Sequence, residues 1–567
     1  MRTPCKTPLH PFLICSAIIL FSLCIFSPKA FGQKNNRRFE TSKNLDYFNL
    51  IFKNIDLFYV DSISPEKTIQ TGINAMLRSL DPYTEFYPEE ESDEFKMLMT
   101  GNYGGIGSMI MLYKNGRICI AEPYEGQPAA KHGLKAGDIL LEINGESLEG
   151  MNVKQVSERL RGQRGSTLTV KIERPGEKKP LEIEIVRSSI HISTVPFYKK
   201  YPGEIGYIYL NSFTGEPAKE FKEAFLDLKK QGITSLVIDL RNNGGGLLDE
   251  AVDIAGYFLP KGQEIVSTRG RNKRVEKTYK TTHTPLDTEI PIVVLVNGGS
   301  ASASEILAGS LQDLDRAVIM GERTYGKGLV QTPRSLPYGA SMKITTGKYY
   351  IPSGRCVQAI DYTRHETTNY GDSIPDSLTR VFRTKAGRPV RDGGGILPDV
   401  PMEQPEISTF VISLSTDLDT MRNVFDFATQ YCLEHKNIPS PATFELTDSD
   451  LDRFLRQLKD RGFTYKLRSE HLLKELQKAL KSEGYAEATQ ADFEKIQSYF
   501  KHDLDRDMQL FRKDIKQSLE MEIIRRLYYQ RGEMELFLRT DPLLPKAFEL
   551  IADPARYQSL LRPQAEQ

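Results

Sequence analysis

Cysteine is scarce in this chain. Six occur in 567 residues, and Cys5, Cys15 and Cys24 all fall near the start. The remaining Cys119, Cys356 and Cys432 are odd in number and far apart, with no CxxC pair, which argues against a disulfide framework. Cys119 stands in the alternating run Arg117-Ile118-Cys119-Ile120, where a buried apolar role is expected. Net charge is missing as well, because 75 Lys and Arg balance 75 Asp and Glu. No global field exists to hold a polyanion or an acidic membrane surface, and nucleic acid is not an expected partner. Histidines are few and scattered, and His365-Glu366-Thr367-Thr368-Asn369 lacks the second histidine of a zinc-binding HExxH. No metal or other cofactor is expected.

Long apolar runs are absent but for one. Arg2 and Lys6 precede an almost uninterrupted apolar stretch from Pro11 to Ser27, and Ala30 and Gly32 follow before Gln33. This is the layout of an export signal over residues 1–32, cleaved after its small residues. The stretch also sits at the lower length limit for a bilayer span, so an uncleaved anchor is the alternative. Leu23 before Cys24 is too large for a lipoprotein signal. Either route exports the chain, to the periplasm or the outer face of the cytoplasmic membrane of a bacterium.

The length allows roughly three or four domains at ~150 residues each. Residues 33–98 carry helical periodicity, with Leu45, Phe48, Ile51, Phe52 and Ile55 at three- and four-residue steps. No chemistry is visible there, and packing or dimer formation is the expected role. Residues 99–188 change to short alternating strands broken by glycine, with a helix around Val153 to Arg161 and an Asn144-Gly145 hairpin signal. With "GLKAGDILLEINGESL" at its centre, this stretch resembles a PDZ domain. Such domains add a peptide as a strand and hold its terminal carboxylate on loop N–H groups. The resemblance puts Gly105, Ile106 and Gly107 at that loop, although glycines there also suit a tight strand entry. Residues 189–405 alternate strands and helices in an α/β pattern. Residues 406–567 are helical and charged, with matched Lys, Arg, Glu and Asp, the composition of solvated helical faces.

Three strings in the α/β region carry the chemistry: Asp239-Leu240-Arg241-Asn242-Asn243-Gly244-Gly245-Gly246, Ser300-Ala301-Ser302-Ala303-Ser304-Glu305, and Thr324-Tyr325-Gly326-Lys327-Gly328-Leu329-Val330-Gln331. A serine that ends an apolar strand and starts a helix faces unpaired N–H groups. Ser302-x-x-Glu305 fits a capping box equally well. A lysine desolvated between glycines can act as the base for a serine hydroxyl, and a surface hairpin lysine is the plainer alternative. A glycine triplet exposes N–H groups for an oxyanion or merely turns the chain.

These strings, in this order and after a PDZ domain, resemble the carboxyl-terminal processing, or tail-specific, peptidases. The resemblance implies an α+β multidomain chain with an N-terminal helical segment, a PDZ domain, an α/β serine-peptidase core and a C-terminal helical region. It implies Ser302 as nucleophile, Lys327, 25 positions later, as general base, Gln331 as the residue orienting that lysine, and Gly246 and Ala303 as oxyanion donors. Arg161 matches the place that couples the PDZ groove to activation in related peptidases, although it is also readable as a solvated charge. The expected partners are protein substrates with exposed apolar C-termini, while an adaptor protein and a homo-oligomer stay open. Rival readings are weaker. Gly321-x4-Gly326-Lys327 is followed by Gly328 rather than the Ser or Thr of a P-loop, and no GxSxG elbow encloses Ser302. A catalytically silent PDZ scaffold is the alternative from another functional class.

Overall fold

The computed structural model describes residues 29–91, 102–362, 372–403, 407–415, 422–465, 467–499 and 503–563. The apolar stretch from Pro11 to Ser27, Gly101 and the 365–369 string lie outside the described residues. Among the described residues no helix is long and apolar enough to cross a membrane.

Two compact units divide between Ser79 and Leu80. The first holds helices α1 (Lys29–Phe58) and α2 (Pro65–Arg78). Ser64 caps α2, and Pro65 opens it where its missing N–H costs nothing. Gly72 of α2 lies against the ring of Phe48. The periodic residues Leu45, Phe48 and Ile51 remain largely exposed.

The second unit begins with strand β1 (Glu85–Tyr87). A two-stranded ribbon of β2 (Asn102–Gly105) follows, paired with a later strand, and then the sheet strands β3 (Ser108–Leu112), β4 (Ile118–Pro123) and β5 (Ile139–Ile143). Helix α3 (Val153–Leu160), β6 (Thr167–Glu173), β7 (Leu181–Val186) and β8 (Ser188–His191), the partner of β2, complete this PDZ fold. Asn144 and Gly145 both adopt positive φ in the predicted hairpin. Ile118, Ile120, Val156, Leu160, Val170 and Ile172 form the PDZ core.

A six-stranded sheet follows. Its members are β9 (Phe197–Tyr201), β10 (Ile205–Tyr209), β11 (Ser235–Asp239), β14 (Ile292–Val296), β15 (Val318–Gly321) and β18 (Val400–Pro401), in that spatial order. All pairings are parallel except β9 with β10. Every residue of β11 and β14 is buried, as expected of a sheet covered on both faces. One face packs on α4 (Pro217–Lys230), α5 (Leu248–Gly256) and α6 (Ala303–Asp313). A second sheet joins β12 (Glu264–Arg269), β13 (Lys277–Lys280), β16 (Leu329–Ser335) and β17 (Ser341–Tyr350) to β1, with β17 as the hub.

The C-terminal helices include α7 (Asn423–Glu434), α8 (Arg512–Thr540), α9 (Leu543–Ala552) and α10 (Pro554–Leu560). They are more than solvated faces. Ile515, Leu519, Ile523 and Ile524 of α8 are buried in a core of their own. Leu538, Leu544, Ala547, Leu550 and Tyr557 cover the second face of the six-stranded sheet. Tyr557 ties that cover down, its hydroxyl accepting from Ile292 N–H at 2.9 Å and donating to Ile292 O at 3.0 Å. Helix α7 also grips the PDZ domain. Phe425 packs on buried Cys119 and Ile139, and Asp426 accepts from Tyr113 Oη at 2.6 Å, Lys114 Nζ at 2.5 Å and Arg461 Nη1 at 2.8 Å. Burial pushes the Cys119 thiol up to about 12, in keeping with an apolar role.

Glu122 of β4 is buried near Arg525, Glu522 and Glu533 of α8. Burial raises its carboxyl from 4.5 to about 7, against the pull of Arg525. A carboxyl raised in the folded state contributes stability that is full below its unfolded pKa and is lost as pH rises through about 7. Glu122→Gln is therefore expected to raise the melting temperature at pH 8 by about 2–4 °C and to leave it unchanged near pH 4. Calorimetry at the two pH values measures this.

Candidate active site

Parallel strands end together, and the loops at their carboxyl ends share one edge of the sheet. Adjacent β11, β14 and β15 release the three chemistry-bearing strings there. Main-chain and amide hydrogen bonds stitch the strings to one another. Ala301 N donates to Asn243 O at 3.0 Å, and Tyr325 N donates to Ser300 O at 3.0 Å. Asn242 N and Gly299 N both donate to Asn297 Oδ1.

The three serines of the middle string differ sharply. Ser300 and Ser304 are fully buried. Their hydroxyls donate to main-chain carbonyls, Ser300 to Leu240 O at 2.8 Å and Ser304 to Asn243 O at 2.8 Å. Ser302 is half-buried and sits at the N-terminus of α6 with φ 57° and ψ −113°. A non-glycine residue in such a conformation stores strain of about 1–3 kcal/mol.

Glu305, one turn into α6, holds Ser302 and Lys327 together. It is fully buried. Its Oε2 accepts from Ser302 N–H at 2.9 Å and from Lys327 N–H at 2.8 Å. Oε1 accepts from Gly326 N–H at 2.7 Å and Thr324 Oγ1 at 2.6 Å. Burial pushes the Glu305 carboxyl above its ordinary value, and these four donors pull the other way. At the carbonyls of the same two residues, the buried Tyr349 hydroxyl lies 3.2 Å from Ser302 O and 2.6 Å from Lys327 O.

Lys327 is half-buried, with Nζ 4.3 Å from the centre of the Tyr83 ring, a cation–π distance. Burial lowers its pKa from 10.5 and Lys343 lowers it further, while Glu305, Glu85 and Asp81 oppose them. Among the described residues no hydrogen bond joins Lys327 Nζ to Ser302 Oγ or to Gln331. The Gln331 amide donates to Thr345 Oγ1 at 3.2 Å.

The glycine triplet lies directly on the serine turn. A Cβ at Gly245, where φ is 96°, would stand 2.8 Å from Ser302 Cβ and 2.9 Å from Ala303 N. Only glycine permits that approach. Gly245 N–H is already committed to Asn243 Oδ1 at 2.9 Å. The N–H groups of Gly246 and Ala303 have no acceptor among the described residues. In the PDZ domain, Ile106, Gly107, Val153, Leu160 and Arg161 line a cleft of about 210 Å³. Gly105 ends β2 beside it. Arg161 caps α3 with its guanidinium 5.3 Å from the Tyr103 ring centre.

Residues 204–367 match the profile of peptidase family S41, residues 120–174 a PDZ domain, and residues 414–551 a domain described as "Probable PDZ-protease, C-terminal helical domain". Over 332 residues the chain is 39% identical to a carboxy-terminal-processing protease of Bartonella bacilliformis, covering 58% of this chain and 76% of that relative. The chain belongs to the carboxy-terminal-processing protease family. A "Probable CtpA-like serine protease" of Staphylococcus epidermidis is 34% identical over 377 residues, 65% of this chain and 74% of that one. Among solved structures, a photosystem II D1 C-terminal processing protease is 28% identical and aligns over 63% of this chain and 92% of that chain, with a TM-score of 0.33. This family member is accordingly a serine protease with a PDZ domain, acting on protein substrates.

Sequence reasoning missed several neighbours of the candidate dyad. Glu305 was visible only as half of a capping box. Tyr83 belongs to a stretch read as devoid of chemistry, and Tyr349 to an ordinary strand. No local signal marks either tyrosine.

Proposed function

We propose that this protease is an exported endopeptidase that captures protein C-termini in its PDZ cleft and cleaves near them through a Ser302–Lys327 acyl-enzyme. The observation that carries this reading is the single Glu305 oxygen that accepts both the Ser302 and the Lys327 N–H. It brings a strained, half-buried serine and a lysine of lowered pKa onto one carboxylate. Among the described residues, Ser302 is also the member of its string whose hydroxyl is not spent on a main-chain carbonyl, which favours it over Ser300 and Ser304. Lys327 rests on Tyr83, so its side chain rotates toward Ser302 before the chemistry, and the Gln331 amide leaves Thr345 Oγ1 to follow it.

Neutral Lys327 takes the hydroxyl proton as Ser302 Oγ bonds to the scissile carbonyl carbon. Gly246 and Ala303 N–H groups hold the resulting oxyanion. The proton passes to the leaving amine as the C–N bond breaks. Water, deprotonated by the same lysine, then releases the acyl group. The sheet of β1, β16 and β17 supports the lysine, and Ile106, Ile110, Val153 and Leu160 in the PDZ cleft suit an apolar last side chain.

A peptide with a free C-terminal carboxylate is expected to be cleaved with a KM at least about tenfold lower than its amide, since carboxylate capture by loop N–H groups is lost on amidation. Arg161→Ala is expected to remove activation by a separate C-terminal peptide. Equal turnover of acid and amide would sink the capture step.

The lowered lysine pKa has a pH signature. The active base is the neutral form, so kcat/KM rises as pH climbs through the Lys327 pKa, which lies below 10.5. Lys343 helps to lower it and pairs with Glu85 at 2.6 Å. Lys343→Met removes a like charge and frees an acidic one. The ascending limb of the profile is therefore expected to move to higher pH.

A further inference from the structure

Strand β11 hands the chain to the glycine loop through Arg241, a residue only 3% exposed. Its Nε donates to Asp239 Oδ1 at 3.0 Å and Oδ2 at 2.9 Å, and Nη2 reaches Asp239 Oδ2 at 2.6 Å. The outer edge of the guanidinium meets a second carboxylate. Nη1 lies 3.0 Å from Asp541 Oδ1 and Nη2 lies 2.6 Å from Asp541 Oδ2. This is a two-pronged contact of the kind that fixes orientation as well as charge. Asp541 follows the last residue of α8, is 4% exposed, and also accepts the Leu543 N–H at 3.0 Å. Phe537 of α8 places its ring 5.4 Å from the guanidinium carbon. Behind Asp239, Tyr207 Oη donates at 2.6 Å and Arg241 N–H at 2.9 Å.

We propose that Asp541 is a positioning residue for peptide cleavage, the C-terminal helices supplying the second carboxylate that fixes Arg241 and, through it, the loop presenting Gly246. The role rests on the reading of Gly246 as an oxyanion donor. With Asp239 alone, the outer guanidinium edge would be buried without an acceptor, and Arg241 would turn to find one. The loop has little slack to absorb that turn. Asn243 O is pinned by Ala301 N–H and Ser304 Oγ. Gly245 already touches the Ser302 turn. Displacement at Arg241 is therefore delivered to the donors around Ser302.

The experiment uses the full chain. Asp541→Asn is compared with the unmodified protein for kcat and KM on a peptide with a free C-terminus, for the rate of Ser302 labelling by a fluorophosphonate, and for melting temperature. Expected are a fall in kcat of about 10- to 100-fold, an equal fall in labelling rate, and a KM within about twofold of the original. Phe537→Leu keeps both charges while loosening the guanidinium, and should lower kcat in the same direction by about three- to tenfold. A lowered melting temperature with full kcat in the folded protein means a structural role only and overturns the proposal. If Asp541→Asn does not fold, full kcat in Phe537→Leu overturns it instead. Failure of the unmodified protein to label at Ser302 brings down the site reading itself, and this role with it.

Discussion

Ser302→Ala and Lys327→Ala proteins are each expected to lose kcat by about 10,000-fold or more, and the double variant to be no slower than either single one. Nucleophile and base act as a unit, so removing one leaves the other without a task. Release of a C-terminal fragment from a test peptide, followed by mass spectrometry, measures the loss. Peptide affinity for the PDZ cleft should not change. The control is Ser300→Ala. That hydroxyl accepts from Asn297 N–H at 3.0 Å and donates to Leu240 O, so its loss should lower stability more than turnover. A Ser302→Ala protein that cleaves at full rate removes the dyad from consideration.

Glu305→Gln should be nearly as severe although Glu305 touches no substrate. An amide replaces one acceptor oxygen by a donor, and two of the N–H or O–H groups now facing Glu305 would meet hydrogen instead. One buried donor left unsatisfied costs about 1–3 kcal/mol, more toward a charged acceptor. A stability loss of about 2–4 kcal/mol is expected in urea unfolding. Ser302 and Lys327 also lose their common anchor, and kcat should fall by about 100-fold or more. The carboxylate raises the Lys327 pKa. Its removal should therefore move the ascending limb of the pH profile down, opposite to the shift from Lys343→Met. Opposite shifts from the two variants separate an electrostatic change at Lys327 from general loosening of the site.

What was legible in the sequence was local. The PDZ strands, the Asn144-Gly145 turn and the buried runs Ser235–Asp239 and Ile292–Val296 depend on neighbours within a few residues. The three strings were legible because they join parallel strands to their following segments, where glycine and small residues are required for close approach. Resemblance alone selects Ser302 from its string, and a physical reason for the choice comes only with the tertiary structure. The Ser300 and Ser304 hydroxyls are spent on carbonyls some 60 residues earlier, and nothing within the string predicts that. Tyr83 is invisible for the same reason. It follows a helix that carries no chemistry and reaches Lys327 only because β1 pairs with β17. The charged C-terminal region was the least legible. Its composition suits solvated helices, yet Asp541 pairs with an arginine 300 positions earlier and its apolar residues close the sheet.

The Tyr557 hydroxyl clasped by both polar groups of the Ile292 peptide bears on the molecule's own durability. A protease that acts on protein substrates has its own chain within reach as one of them. Presenting α9 or α10 as an extended substrate would require peeling them from β14 and its neighbours. Leu544, Leu550 and Tyr557 are among the groups this would expose, at about 2 kcal/mol or more each. With Ala547 of α9 alongside, the sum reaches the lower part of the ~5–15 kcal/mol that holds a whole domain folded. The helices that complete the sheet thus also withhold the chain from its own chemistry.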